Sequence, residues 1–388
     1  VTVLTLERAA YEVTDPNLEA QIPAEVRVVR TKALNVKRHL SLGGAYPAVL
    51  ATPDRWIGWW PWAVAAGRRI LKTDPPEVIY STSPHATAHL VALALVRGSG
   101  ARWVADFRDP WYEQPPEPGT PWLTHVAARH LERRVIRMAD RIVASTARLR
   151  DALAARYRGE RQDKFVVIPN GYDEEDFAAL PAGSASGDHF LILHAGSINS
   201  GFRDPRPLFL AIREAVQAGA LDPTRVRLRF LGGGPFGNSR EIRQTLERTG
   251  LAGQTEFLPR VSYEESLREL TRATVLLLLQ ASPDTVDLVP AKLFEYLRAG
   301  RPVLAVVKEG ATAEVIKQVG GGWAVDPEDG VSLREVVVAA YRAWRRGTLG
   351  DVKVDPVALR RFSRKQLAGE LAAEFNALCE SPRPHQAS

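Results

Sequence analysis

The chain has 388 residues, 45% apolar and 25% charged, an ordinary globular composition and length enough for two separately packed domains. Its one cysteine, Cys379, excludes an internal disulfide and a cysteine-built zinc site, and no apolar run is long enough to span a bilayer. The net charge is +6, but the arginines are spread out (Arg129, Arg133, Arg134, Arg137, Arg141), which argues against a nucleic-acid binder and for an anionic surface or anionic small molecules.

Short apolar strands alternate with helical segments along the whole length, the pattern of parallel α/β layers. Strands are expected at 1–5, 26–30, 78–81, 103–107, 141–144 and 165–168 in the first half. Between the second and third, four tryptophans (Trp56, Trp59, Trp60, Trp62) precede a helix ending in Arg68, Arg69 and Lys72. That pattern fits an interfacial membrane anchor, and it also describes an aromatic core with a solvated helix end, the reading the short segment favours.

Ligands of open α/β sheets bind beyond the carboxyl ends of strands. Ser83 and His85 fall there after the strand at 78–81, while His89, one turn on, reads as structural. The strand at 103–107 runs into Asp106-Phe107-Arg108-Asp109-Pro110-Trp111. Acids alternating with an arginine suit a site better than a core. Asp109 is the candidate to reach a ligand and Asp106 the partner of Arg108. The proline-rich stretch 114–121 reads as a rim loop for ligand binding or a lid. Asn170-Gly171, in Val166-Val167-Ile168-Pro169-Asn170-Gly171-Tyr172-Asp173, suggests a tight turn with positive φ. The small-residue segment 180–187 then reads as a linker.

The second half opens with a strand at 190–194, the turn Gly196-Ser197 and the cations Arg203 and Arg206. A strand, a glycine and a base before a helix is phosphate-site logic. Gly232-Gly233-Gly234 is a turn, since it does not match the dinucleotide fingerprint. The densest chemistry lies in 282–307. Asp287 precedes Glu295 by eight positions, Pro290 suits a helix start, Lys292 adds charge there, and Gly300 with Pro302 ends the helix before a buried strand. Phosphate could sit on Lys292 and the helix N–H groups, with Glu295 on a ribose. Spacing alone also describes an ordinary loop–helix–strand unit with solvated charges.

The stretch from Pro290 to Val303 resembles the pattern P-x-K-[LI]-[FY]-E-Y-x-x-x-G-x-P-V in the E-x7-E region of retaining GT-B glycosyltransferases, glycosyltransferase family 4. Arg108-Asp109-Pro110-Trp111 resembles the R-D-x-W signature of members acting on bacterial surface-glycan precursors, and 166–173 resembles V-I-P-N-G-x-D. The resemblance implies an α/β, GT-B fold of two Rossmann-like domains whose parallel sheets face a central cleft. An acceptor-side domain would span 1–180, a nucleotide-sugar-binding domain 188–355, and a helix at 356–380 would cross back. It implies retaining transfer of a hexosyl or N-acetylhexosaminyl group from a nucleotide-diphosphate sugar to a glycan or lipid-linked acceptor, in surface polysaccharide synthesis.

By the same resemblance, donor contacts fall to Gly196, Ser197, Arg203, Arg260, Val261, Leu288, Val289, Pro290, Lys292, Leu293 and Glu295. Asp109, His85 and Asp287 would face the transferred sugar. Asp287 is one methylene shorter than the usual Glu. No metal or other cofactor is implied. The expected setting is cytoplasmic, with peripheral docking on an anionic membrane as one option. Members of the family begin with an earlier strand, glycine loop and helix, so the chain reads as N-terminally truncated. A nucleotide-sugar 2-epimerase and a non-catalytic scaffold of the same fold are the alternatives.

Overall fold

A computed structural model describes residues 1–11, 14–39, 51–111, 121–178, 180 and 187–381. Nearly all of the proline-rich stretch and of the linker lies outside the described residues. The chain divides into two compact units. One comprises Val1–Ile168 together with the residues from Glu370 onward, and the other is Pro169–Gly369.

In the first unit, β1 (Thr2–Leu6) and β2 (Arg27–Thr31) form a parallel pair. β3 (Val78–Thr82), β4 (Arg102–Phe107), β5 (Arg141–Ala144) and β6 (Phe165–Val167) form a parallel sheet in that order. Among the described residues the pair and the sheet are separate ladders. β4 is buried at every position, as expected of an apolar run in the middle of a parallel sheet. The helices used below are α1 (Trp60–Thr73), α2 (Thr87–Val96) and α3 (Trp122–Met138).

Half of the tryptophan cluster is core. Trp56 and Trp59 are each 6% exposed and pack with Val64, Val91 and Leu95, against which Leu4 and Leu6 of β1 also lie. The indole of Trp59 donates to Thr31 Oγ1 (2.7 Å) and that of Trp60 to the Leu90 carbonyl (3.2 Å). Trp60 and Trp62 stay exposed, as do Arg68, Arg69 and Lys72, so the segment divides between the two readings. Two of its four rings are spent on joining β2, α1 and α2.

The second unit has a six-stranded parallel sheet built from β7 (Phe190–Ala195), β8 (Val226–Leu231), β9 (Thr255–Leu258), β10 (Val275–Gln280), β11 (Val303–Val307) and β12 (Gly322–Val325). Its order is β9-β8-β7-β10-β11-β12, the doubly wound arrangement in which the strand order reverses between β7 and β10. Side-chain alternation explains the layers. Val275, Leu277 and Leu279 of β10 enter one core, while Leu276 and Leu278 enter the other. The first core is closed by α4 (Arg206–Gln217), α5 (Arg240–Thr249) and α9 (Gly330–Arg346). The second is closed by α6 (Tyr263–Arg272), α7 (Lys292–Arg298) and α8 (Ala311–Val319).

Asn170-Gly171 does not form the positive-φ turn expected of it, since Gly171 is absent from the residues with φ above zero. Glycine is needed there for another reason. A Cβ at that position would meet the Phe362 carbonyl oxygen at 2.1 Å, where Tyr172 bridges Ser363. The last helix, α10 (Arg364–Glu380), carries the chain across the division between the units. Its Glu374 pairs with Arg141 (2.8 Å) and its Phe375 packs edge-on to Tyr80 in the first unit.

Candidate functional site

The reversal between β7 and β10 opens a crevice at the carboxyl ends of these strands, and the second unit's candidate residues gather there. β7 ends in Ala195, whose carbonyl accepts from Lys292 Nζ (2.8 Å). The Ala195 N–H donates to the hydroxyl of Tyr296 (2.8 Å), so both residues of α7 hold the end of β7. Gly196 has φ +123°, and a Cβ on it would lie 2.5 Å from Lys292 Nζ. No side chain fits between the strand end and that ammonium.

The loop after Gly196 is shaped by Asn199, whose Oδ1 accepts the N–H groups of Gly201, Phe202 and Arg203 (2.9–3.2 Å). Arg203 is thereby turned back, and its guanidinium donates to Ser197 Oγ (3.0 Å). Arg206 is committed elsewhere, to Asp204 (2.6 Å) and Glu241 (3.4 Å), which leaves Arg203 as the available cation. Burial lowers the pKa of Lys292 to about 8, helped by the charge of Arg203 and opposed by Glu295. Burial also lowers the guanidinium of Arg203. Two cations held this close in a partly dry crevice are poised for a polyanion.

Glu295 lies on α7 beside this cluster. Burial raises its carboxyl, while a hydrogen bond from Tyr263 and the charges of Arg364 and Lys292 pull it back. The Tyr263 hydroxyl reaches both Asp176 Oδ2 (2.9 Å) and Glu295 Oε1 (3.2 Å). Nothing in the spacing of the chain pointed to Tyr263, Asp176 or Asn199.

The loop before α7 is fixed by its backbone. The Leu288 carbonyl accepts from Gln280 (3.2 Å) and Thr312 (2.9 Å), and the Val289 carbonyl from Asn170 (3.1 Å). The N–H groups of Leu293 and Phe294 already bond to Pro290 and Ala291 (3.0 and 3.1 Å), and the Leu293 side chain is wholly buried. The cationic role at this end of the helix thus falls to Lys292 and Arg203 rather than to those two N–H groups. Asp287 is half-buried in the same loop. Gly232 and Gly234, both left-handed, close the rim beside Arg260 and Ser197; Arg260 is exposed and Val261 half-buried.

In the first unit, Asp106 holds Arg108 (2.7 and 2.5 Å), as expected, and also accepts from Thr82 (3.0 Å) and Tyr80. Arg108 further donates to the Ile168 carbonyl (2.7 Å). Asp109 is left at a small cleft of about 50 Å³ whose walls include Asp54, Ser83, His89, Phe107 and Trp111. Burial raises the Asp109 carboxyl against the pull of Arg108. His85 is exposed and packs edge-on to Trp56 (6.2 Å), outside that lining. His89, read from the sequence as structural, is the histidine in the cleft wall.

Two domain families match the chain: the Glycosyl transferase 4-like domain over residues 1–171 and Glycosyl transferases group 1 over residues 189–342. Between them they take in most of its length. The chain belongs to the GT-B glycosyltransferases.

Solved structures share this transferase's fold at low identity. HepE from Anabaena, in complex with UDP-glucose, is 15% identical with a TM-score of 0.65, over 97% of this chain and 99% of that one. A glycosyltransferase from Rickettsia africae is 12% identical (TM-score 0.65, 98% and 99% covered). Sucrose-phosphate synthase from Thermosynechococcus elongatus is 16% identical (TM-score 0.62, 97% and 98% covered). No protein of curated function matches the sequence. Both matching families are transferases, which does not favour the epimerase or the scaffold.

Proposed function

We propose that this glycosyltransferase moves a hexosyl or N-acetylhexosaminyl group, with retention at the anomeric carbon, from a nucleotide-diphosphate sugar to a glycan or lipid-linked acceptor. The observation that carries the donor half is the pairing of Lys292 with Arg203 at the strand-order reversal, with Glu295 beside them. In this reading the diphosphate lies on Ser197, Arg203 and Lys292, and Glu295 takes the ribose hydroxyls. As the bond from the anomeric carbon to the diphosphate oxygen breaks, the two cations stabilise the charge growing on the leaving group. They supply that charge without a metal. Asp287 and Asp109 are assigned to the transferred sugar and the acceptor. The complex of HepE with UDP-glucose supports a donor of this class.

A lipid-linked acceptor on an anionic surface, as in bacterial surface polysaccharide synthesis, is favoured by α3. Its N-terminal end exposes Trp122 (70%), Leu123 (57%) and Val126 (50%). Arg129, Arg133 and Arg137 continue the same stripe at helical spacing, with Arg134 next to it, all exposed. Aromatic and aliphatic tips followed by arginines suit an interface with anionic headgroups.

The test is turnover. The purified chain, given UDP- and GDP-sugars, should release nucleoside diphosphate in the presence of its acceptor. If neither UDP nor GDP binds in calorimetry, the donor reading is lost.

A further inference from the structure

Asp287 stands in a tight turn, 285–288, closed by the Leu288 N–H on the Thr285 carbonyl (3.1 Å). One side chain grips both ends of that turn. The carboxamide of Gln280, the last residue of β10, donates one N–H to the Thr285 carbonyl (2.8 Å) and the other to the Leu288 carbonyl (3.2 Å). A carbonyl can only accept, so these two contacts decide which end of the amide is nitrogen. Its oxygen is left facing the hydroxyl of Thr312, 2.9 Å away, and that hydroxyl also lies 2.9 Å from the Leu288 carbonyl.

Gln280 and Thr312 are 8% and 3% exposed, so water competes little for these bonds. The middle of the turn is held from the same side. The Val286 carbonyl accepts from the N–H of Ala311 (2.8 Å), and a Cβ on Gly310 would lie 2.3 Å from that carbonyl oxygen. The end of β10 and the start of α8 thus clamp the backbone on either side of Asp287. The groups assigned to the diphosphate and the ribose are held by different bonds, Lys292 by the Ala195 carbonyl (2.8 Å) and Glu295 by Tyr263 (3.2 Å). Loosening the turn therefore leaves the nucleotide's own contacts in place.

We propose that Gln280 and Thr312 are positioning residues for the transferred sugar, fixing the turn that sets the direction of the Asp287 carboxylate. The proposal rests on the reading in which Asp287 faces that sugar. Misplacing a group at the reacting centre by about 1 Å can cost on the order of a hundredfold in rate, so a loosened turn shows in turnover before it shows in nucleotide binding.

The experiment uses the full chain and three variants. Thr312→Val keeps the shape but leaves the Gln280 oxygen buried without a donor, and Thr312→Ser restores the hydroxyl. Gln280→Met loosens the turn by a second route and carries the same test should Thr312→Val not fold. UDP and GDP are titrated calorimetrically, and release of nucleoside diphosphate is followed from UDP-glucose, UDP-galactose, UDP-N-acetylglucosamine and GDP-mannose. With any of these that the wild type splits, Thr312→Val and Gln280→Met should lower the rate at saturation roughly tenfold, with nucleotide affinity within about twofold of wild type. Thr312→Ser should recover most of the rate. In an Asp287→Asn background Thr312→Val should have no further effect, because it acts through that carboxylate. A wild-type rate in the folded variants, nucleotide affinity falling in step with the rate, or a full additional loss beside Asp287→Asn would overturn the positioning role. So would a wild type that binds nucleotide and splits none of the four. If neither UDP nor GDP binds, the donor reading itself falls; in every other failure the nucleotide site stands and only the positioning role is lost.

Discussion

The ammonium of Lys292 occupies the space beside Gly196, 2.5 Å from where a Cβ on that glycine would be. Gly196→Ala should therefore reduce affinity for UDP or GDP about as much as Lys292→Met, although it removes no charge. A control separates this clash from backbone strain. Gly219 is also left-handed (φ +68°) but has nothing within 4 Å of its missing Cβ. Gly219→Ala should cost about 1 kcal/mol of stability by thermal melting and leave nucleotide affinity unchanged.

The lowered pKa of Lys292 gives nucleotide binding a pH signature. Above pH 8 a growing share of the free protein has lost this proton, and a bound diphosphate would restore it. Calorimetry at pH 8.5, in buffers of different ionisation enthalpy, should show proton uptake on binding UDP or GDP, abolished in Lys292→Met. Stability runs the other way. Between pH 8 and the ordinary 10.5 the unfolded chain binds more protons at this group, so its contribution to folding improves as pH rises. A pH series of melts on wild type and Lys292→Met checks the sign.

Glu295→Gln should weaken nucleotide binding roughly tenfold, since a neutral amide accepts from ribose hydroxyls less strongly than a carboxylate. Because burial raises the Glu295 carboxyl, wild-type affinity should begin to fall on acidification above the usual carboxylate range. Tyr263→Phe should extend that fall to higher pH by removing a hydrogen bond that favours the ionised form. Calorimetric titration between pH 4.5 and 7 measures both effects.

Much of this was legible in the chain. The strands of the first unit and the opening strand of the second were visible because parallel strands buried on two faces read as unbroken apolar runs, such as Phe190 to Leu193, whereas β10, equally apolar, was not read. The helix from Lys292 was marked by Pro290 before it and Gly300 after it, and Gly300 does adopt a left-handed conformation. What was hidden depends on contacts between distant residues. The bond from Asn170 to Val289 joins positions 119 apart, and that from Lys292 to Ala195 positions 97 apart. His89, read from the sequence as structural, is indeed wholly buried, bonded to Ser81 and stacked on Phe107, although α2 is apolar all round and its sequence does not say which side packs on β4.

The exposed face of α3 predicts membrane binding. Trp122→Ser with Leu123→Ser should lower co-sedimentation with anionic vesicles, and added salt should lower it further. Nucleotide affinity should stay put. Trp59→Ala should instead destabilise the fold by about 3 kcal/mol or more, as expected for a buried ring bonded to Thr31. Vesicle binding unaffected by the α3 variant would remove the membrane reading.

The first unit draws its residues from both sides of the second, taking Val1–Ile168 and then the chain from Glu370 onward. On the ribosome this sets an order. The sheet from β7 to β12 can be translated and packed while the earlier β3–β6 sheet still waits for the residues that place Glu374 against Arg141 and Phe375 against Tyr80. The half of the protein that is synthesised first is the half that is finished last.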